Sequence, residues 1–201
     1  MMYVSIAITL SLLVTFPRSP DAHNPGSSWR NTGAFAALKT DGSIVAWGGS
    51  NSGGWYSWSS SVSMIYSTDR AFAALKTDGS VESPPSTVRV SSGASVIYST
   101  ERAFAALKTD GSVVTWGNSN YGGDSSSVSS SLSIGASAIY SNDGAFAALK
   151  TDGSVVTWGS GNGGDSSSVS SSLNSGVSVI YSTRLGFAAL KTNGIHLITT
   201  E

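Results

Sequence analysis

A fifteen-residue stretch, AFAALKTDGSVVTWG at 103–117, recurs in close copies along the chain, and everything else lies between the copies. Its pattern is that of a β-hairpin. Asp110-Gly111 is the dipeptide favoured by a two-residue type I′ turn, because both central positions need φ > 0 and Asp and Gly tolerate it. Counting outward from such a turn sets Thr109 opposite Ser112, Lys108 opposite Val113, Leu107 opposite Val114 and Ala105 opposite Trp116. Side chains alternate across a strand, so this register collects Leu107, Val114, Ala105 and Trp116 on one apolar face. A small alanine opposite the indole leaves room for the ring.

The phenylalanine of the hairpin falls at Phe35, Phe72, Phe104, Phe146 and Phe187, so the units are roughly 32 to 42 residues long. The turn follows it as Asp41-Gly42, Asp78-Gly79, Asp110-Gly111, Asp152-Gly153 and Asn193-Gly194. A second strand precedes most hairpins, as in Val96-Ile97-Tyr98-Ser99 and Ala138-Ile139-Tyr140-Ser141. Gly/Ser-rich segments separate the units, and no amphipathic helix stands out. A unit carrying three or four short strands cannot bury its own faces. The units must therefore stack, and the expected fold is all-β: β-propeller-like tandem repeats, about five hairpin units, in an incomplete or open ring.

The copies differ in places. The second unit replaces the Val-Val-Thr-Trp-Gly strand with Val81-Glu82-Ser83-Pro84-Pro85, and because proline cannot donate to a ladder this unit is expected to be defective or at an edge. The first unit carries Trp55-Tyr56-Ser57-Trp58 after Gly53-Gly54, where the third and fourth carry Asp124-Ser125 and Asp165-Ser166.

Composition limits the function classes. Charged residues make up only 11%, against about a quarter in an average globular protein. A net charge of −1 with no basic run gives no electrostatic footprint for nucleic acid. With no cysteine, disulfide frameworks and thiolate metal sites are excluded. The apolar run YVSIAITLSLLVTF near the N-terminus is too short for a comfortable membrane span. It has the length of a secretory signal, which would make the protein secreted, though no Lys or Arg precedes it and no small-x-small cleavage site follows; its alternation of large residues with small ones also suits a strand added to the fold, and a disordered end is the third reading, either of which leaves the protein cytoplasmic. Pro17, Pro20 and Pro25 mark a linker after it. The expected division is an N-terminal segment and linker at 1–28 and a repeat domain at 29–201, with hairpin units centred near 34–48, 71–83, 103–117, 145–159 and 186–199.

The run Ala106-Leu107-Lys108-Thr109-Asp110-Gly111-Ser112-Val113-Val114-Thr115-Trp116-Gly117, followed by Asn120-Tyr121-Gly122, resembles the tandem repeats of the regulator of chromosome condensation family. The likeness extends over about 33–193 and is closest to a shortened variety common in proteins made largely of such repeats; members of the family include a secreted bacterial inhibitor of β-lactamase. Phe104 stands where the family usually has His, and Gly-Gly-Asp replaces its Gly-Gln-Leu-Gly. The resemblance implies a propeller that binds other proteins. Rings in the family usually have seven blades, so an alternative reading is a fragment of a larger regulator, such as a propeller module of a ubiquitin ligase or a nucleotide exchange factor, although the exchange factor's loop insertion and a basic tail are not seen in this sequence.

Catalytic patterns are thin. The two histidines, His23 and His196, lie in the linker and beyond the last hairpin, so a Ser-His-Asp relay lacks a well-placed base. Gly159, Gly161 and Gly164 spell G-x-G-x-x-G but precede a serine-rich segment where a dinucleotide site needs a helix. Asp124 and Asp165 lack the tandem short period of calcium repeats. The chain is therefore expected to be no enzyme and to carry no catalytic, cofactor or metal residues. Lys39, Lys76, Lys108, Lys150 and Lys191 recur once per unit and read as a solvated polar edge; Trp47, Trp116 and Trp158 read as core. Trp55, Tyr56, Trp58 and Tyr121 are the candidate partner-binding residues, since clustered aromatics outside the packing register anchor interfaces or stack on sugars. The competing reading is that the first three fill the space of a segment five residues shorter than its counterpart. The partner expected is another protein, with carbohydrate the alternative and no nucleic acid or stable membrane span.

Overall fold

The computed structural model describes residues 29–58, 60–84, 86–161 and 163–198; the N-terminal apolar run, the proline linker and His23 lie outside them. Among the described residues sixteen strands form five antiparallel sheets in chain order. The first contains β1 (Ala34–Leu38), β2 (Ile44–Gly48) and β3 (Ser57–Trp58). The second contains β4 (Val62–Ser67), β5 (Phe72–Lys76), β6 (Val81–Ser83) and β7 (Ser86–Val90). The third contains β8 (Ala94–Ser99), β9 (Ala103–Lys108) and β10 (Val113–Gly117); the fourth, β11 (Ala136–Ser141), β12 (Ala145–Lys150) and β13 (Val155–Gly159). The fifth contains β14 (Val177–Ser182), β15 (Phe187–Lys191) and β16 (Gly194–Ile198). The fold is an all-β, incomplete propeller.

The hairpin register departs by one residue from the expected one. Val113 pairs with Leu107, Thr115 with Ala105 and Trp116 with Phe104. Only Gly111 takes a positive φ, of +77°, while Asp110 keeps an ordinary backbone. Its Oδ1 accepts from the Ser112 N–H at 2.9 Å and from Ser112 Oγ at 2.6 Å. That side-chain cap favours a type I turn closed by glycine as a bulge over the I′ turn, and it adds one residue to the loop. These bonds, Ser112's hydroxyl first and its N–H second, hold the exposed Asp110 carboxyl down to about 2, helped by Lys108. A one-residue slip exchanges faces. Phe104, Ala106, Val114 and Trp116 thus look toward the preceding sheet, and Ala103, Ala105, Leu107 and Val113 toward the following one. The fifth hairpin is tighter: Lys191 pairs with Gly194 across Thr192 and Asn193.

Four apolar clusters join the five sheets, each built from two sheets adjacent in sequence. Between the third and fourth, Ala103, Ala105 and Leu107 meet Ile139, Phe146, Ala148 and Trp158. Between the fourth and fifth, Tyr140, Ala145, Ala147 and Leu149 meet Ile180, Phe187 and Ala189. The alanine face gives a shallow floor on which the next unit's phenylalanine and tryptophan lie flat: Phe146 stacks on Trp158 with ring centroids 5.3 Å apart and planes 23° apart. Two backbone ladders cross the same interfaces. In one, Thr32, Asp69, Glu101 and Asp143 each donate an N–H to the carbonyl of the corresponding residue one unit on, namely Asp69, Glu101, Asp143 and Arg184. In the other, the turn carbonyls of Gly42, Gly79, Gly111 and Gly153 accept from Val62, Ala94, Ala136 and Val177.

The second unit is not defective. β6 ends at Ser83 and Pro84 lies in the turn that follows, where a missing N–H costs nothing; β7 then adds a fourth strand, pairing Val81 with Val90. Trp47 departs from the core reading, being 47% exposed against 3% for Trp158. No sheet precedes its own in the described chain.

Candidate functional site

Trp55, Tyr56 and Tyr121 sit in connections that follow a tryptophan strand, and Trp58 lies in the short strand β3 at the end of the first of them. In the first unit the chain leaves β2 at Gly48, turns through Ser50–Ser52, and passes Gly53 and Gly54 before Trp55. Gly53 adopts φ +88°, and a Cβ there would lie 3.0 Å from the Phe72 ring of the next unit. A Cβ at Gly54 would meet the Gly48 carbonyl carbon at 2.6 Å. The loop is thus pressed between two sheets and has little freedom.

The structure separates the four candidate residues. Trp58 is 6% exposed, in the cluster of Ala34, Ile44, Phe72 and Ala74, with its ring edge-on to Phe72 at 6.5 Å. Tyr56 packs against the same cluster. Trp55, between this anchored pair and the glycines, is 78% exposed. Tyr121 belongs to another interface, the one between the third and fourth sheets, where it is half-buried. The Arg102 guanidinium lies 5.1 Å from its ring centroid, and Thr100 Oγ1 donates to its carbonyl at 2.9 Å. Arg102 was not singled out from sequence; its place in the Thr100-Glu101-Arg102 corner, one corner per unit, becomes meaningful only when the sheets stack.

Trp58 replaces a missing ring. The position that would carry the second unit's tryptophan is Pro84, so Phe72 has no indole of its own, and Trp58 from the preceding unit takes the place. The buried indoles differ in their hydrogen bonding. Trp158 Nε1 donates to the Gly122 carbonyl at 3.1 Å, whereas buried Trp116 Nε1 and Trp58 Nε1 have no acceptor among the described residues.

The polar groups are mostly turned to local structure. Asp124 and Asp165 accept from the N–H groups of Ser126 and Ser167, each at 2.9 Å, and these bonds lower both carboxyls. Lys76 pairs with Glu82 at 3.1 Å and Lys108 with Asp110 at 3.2 Å, while Lys150 and Lys191 donate to the Ser131 and Ser172 carbonyls. At the corners between the first two strands of the second and third sheets, Asp69 pairs with Arg70 and Glu101 with Arg102, while Asp143 of the fourth sheet's corner pairs with Arg184 of the fifth's. Partial burial raises the Asp143 carboxyl, with Arg184 acting in the opposite direction. Among the described residues no three of His, Asp and Glu converge at metal distance, and no helix is long and apolar enough to cross a membrane. His196 stands opposite Ala189 in the last hairpin.

Neither a protein-family model nor a curated protein sequence matches the chain. Its fold is shared with solved structures at low identity. Human WBSCR16 aligns with a TM-score of 0.51 at 16% identity, covering 80% of this chain and 57% of that one. The ectodomain of the receptor kinase CR4 from Physcomitrella patens aligns at 0.50 and 14%, covering 84% and 49%. Prp20p from Saccharomyces cerevisiae, the yeast RCC1, aligns at 0.46 and 16%, covering 80% and 53%. The chain spans about half the length of the structures it matches. With hairpins stacked face to face, one tryptophan strand per regular unit and the likeness to WBSCR16 and CR4, the chain has the regulator of chromosome condensation type of β-propeller repeat fold.

Proposed function

We propose that this chain is a non-catalytic protein-binding module that presents the Trp55 loop to a partner. The observation that carries this reading is an indole almost wholly in solvent on a loop that is itself clamped: Gly53 and Gly54 pin one side and Tyr56 and Trp58 the other. An aromatic anchor held rigid before binding loses little conformational entropy on contact, which is how interface hot spots gain affinity. Tyr121 with Arg102 above it supplies a second aromatic and cationic patch at another interface. Propeller folds present loops in this way without needing a reaction centre.

An exposed indole can also stack on a sugar ring, which is the reading in which the chain is a lectin-like module. The two are separated by comparing the parent with Trp55→Ala in a protein pull-down and on a glycan array. The expected result is a set of proteins retained by the parent and lost by the variant, with no glycan bound by either. Glycans bound by the parent and lost by Trp55→Ala would transfer the loop to carbohydrate recognition; identical protein sets for both chains would remove Trp55 from binding. Because Trp55 touches little of the core, the variant should keep its thermal midpoint.

A further inference from the structure

The four interfaces inside the chain follow one plan. The leading sheet contributes alanines, a leucine and a tyrosine, as Tyr140, Ala145, Ala147 and Leu149 do; the trailing sheet contributes a phenylalanine, with a tryptophan where the unit has one. Each of those faces is closed by its neighbour. Among the described residues, the same faces at the two ends of the array have no neighbour. Phe35, stacked on Trp47 at 5.8 Å, is 67% exposed, whereas Phe146, in an identical decapeptide, is fully buried. At the far end Tyr181 is 43% exposed where Tyr140 is at 8%, and Ala188 and Leu190 are only half-buried where Ala147 and Leu149 are buried.

The exposed ends are therefore the two halves of one interface that the chain already makes four times. The backbone ladder agrees. It runs Thr32 to Asp69 to Glu101 to Asp143 to Arg184, each N–H donating one unit onward, and leaves the Arg184 N–H at one end and the Thr32 carbonyl at the other. Among the described residues neither of these two groups has a partner. A donor at the trailing end and an acceptor at the leading end are what a further unit of the same kind would join.

We infer that a second copy of this chain seats on the first, head to tail, with the Tyr181, Ala188 and Leu190 face of one copy covering the Phe35–Trp47 face of the next. The contact is heterologous: two different surfaces of identical chains meet, and repetition gives a closed ring or an open run according to the rotation between copies. This surface is separate from the Trp55 loop, so Trp55→Ala leaves assembly unchanged and the two readings fail independently.

The test uses the full 201-residue chain and two variants whose changes fall on exposed residues, so the β-sheet circular dichroism should be retained. Phe35→Lys with Trp47→Lys disables the leading face; Tyr181→Lys disables the trailing face. The parent should show a mass above 20.5 kDa that grows with concentration. Each variant alone should sediment as a monomer, because its one live face finds only disabled partners. Mixed in equal amounts, the two variants should form a one-to-one heterodimer. A parent monomeric at every concentration would overturn the inference, since the chain's own N-terminal residues or nothing at all would then cover Phe35. Association abolished by only one of the two variants, or no heterodimer on mixing, would show a symmetric contact and would equally overturn it.

Discussion

Phe146→Ala should cost roughly 3–5 kcal/mol, the usual range for deleting a buried aromatic, whereas Phe35→Ala should cost less than about 1 kcal/mol. The two phenylalanines lie in the same ten letters, AFAALKTDGS, and in the same kind of hairpin. What differs is the neighbour. Phe146 stacks on Trp158 and presses on the third sheet's alanine face, close to Gly122 of the preceding loop; Phe35 meets its own Trp47 and solvent. Urea denaturation of the two variants beside the parent measures the difference as a shift in midpoint. Equal shifts would mean that the hairpins hold themselves and that stacking adds little. The comparison is best made at low protein concentration, where any association through Phe35 is weakest.

A loss of similar size is expected at Trp58. Its neighbours in the loop invite a surface role, but the ring is buried edge-on to Phe72, where Pro84 deprives the second unit of its own indole. Trp58→Ala should therefore cost about 3–5 kcal/mol, through transfer and cavity terms, while Trp55→Ala three residues earlier should stay within about 0.5 kcal/mol. Trp58→Phe keeps most of the volume, and since Nε1 has no acceptor to lose, it should recover more than half of the loss. Parallel urea curves for these variants check the expectation. A small cost at Trp58 with a large one at Trp55 would reverse the assignment of anchor and filler.

Much of this arrangement was legible in the letters, and the reasons are local. The period of the phenylalanines, the Asp-Gly turns and the Val-Ile-Tyr-Ser strands act within one hairpin, and they show stacked antiparallel units without any knowledge of their neighbours. The register was missed for a local reason too: Ser112 caps Asp110 and favours the longer turn, and a single added residue transferred Leu107 to the face opposite Trp116. Position in the array cannot be read from a repeated phrase. Trp47 and Trp158 end the same strand, yet one has a preceding sheet and the other does not. The prolines of the second unit suggested failure where the chain turns a corner into β7, and the ring they displaced is supplied from the unit before. Borrowing of that kind joins residues that no single copy contains.

Each sheet is held by the sheets on either side of it, and among the described residues the first and last sheets each lack one such neighbour. In such an array stability is a sum of unit and nearest-neighbour terms, and opening proceeds from the ends. Amide hydrogen exchange resolved along the chain, at a concentration where the protein is monomeric, measures this most directly. The expected result is protection greatest in β9 and β12, lower in β15, and least in β1, whose outer edge has no strand paired to it among the described residues. Uniform protection from β1 to β15, with all five sheets exchanging together, would contradict it, because the array would then behave as a closed and fully cooperative ring.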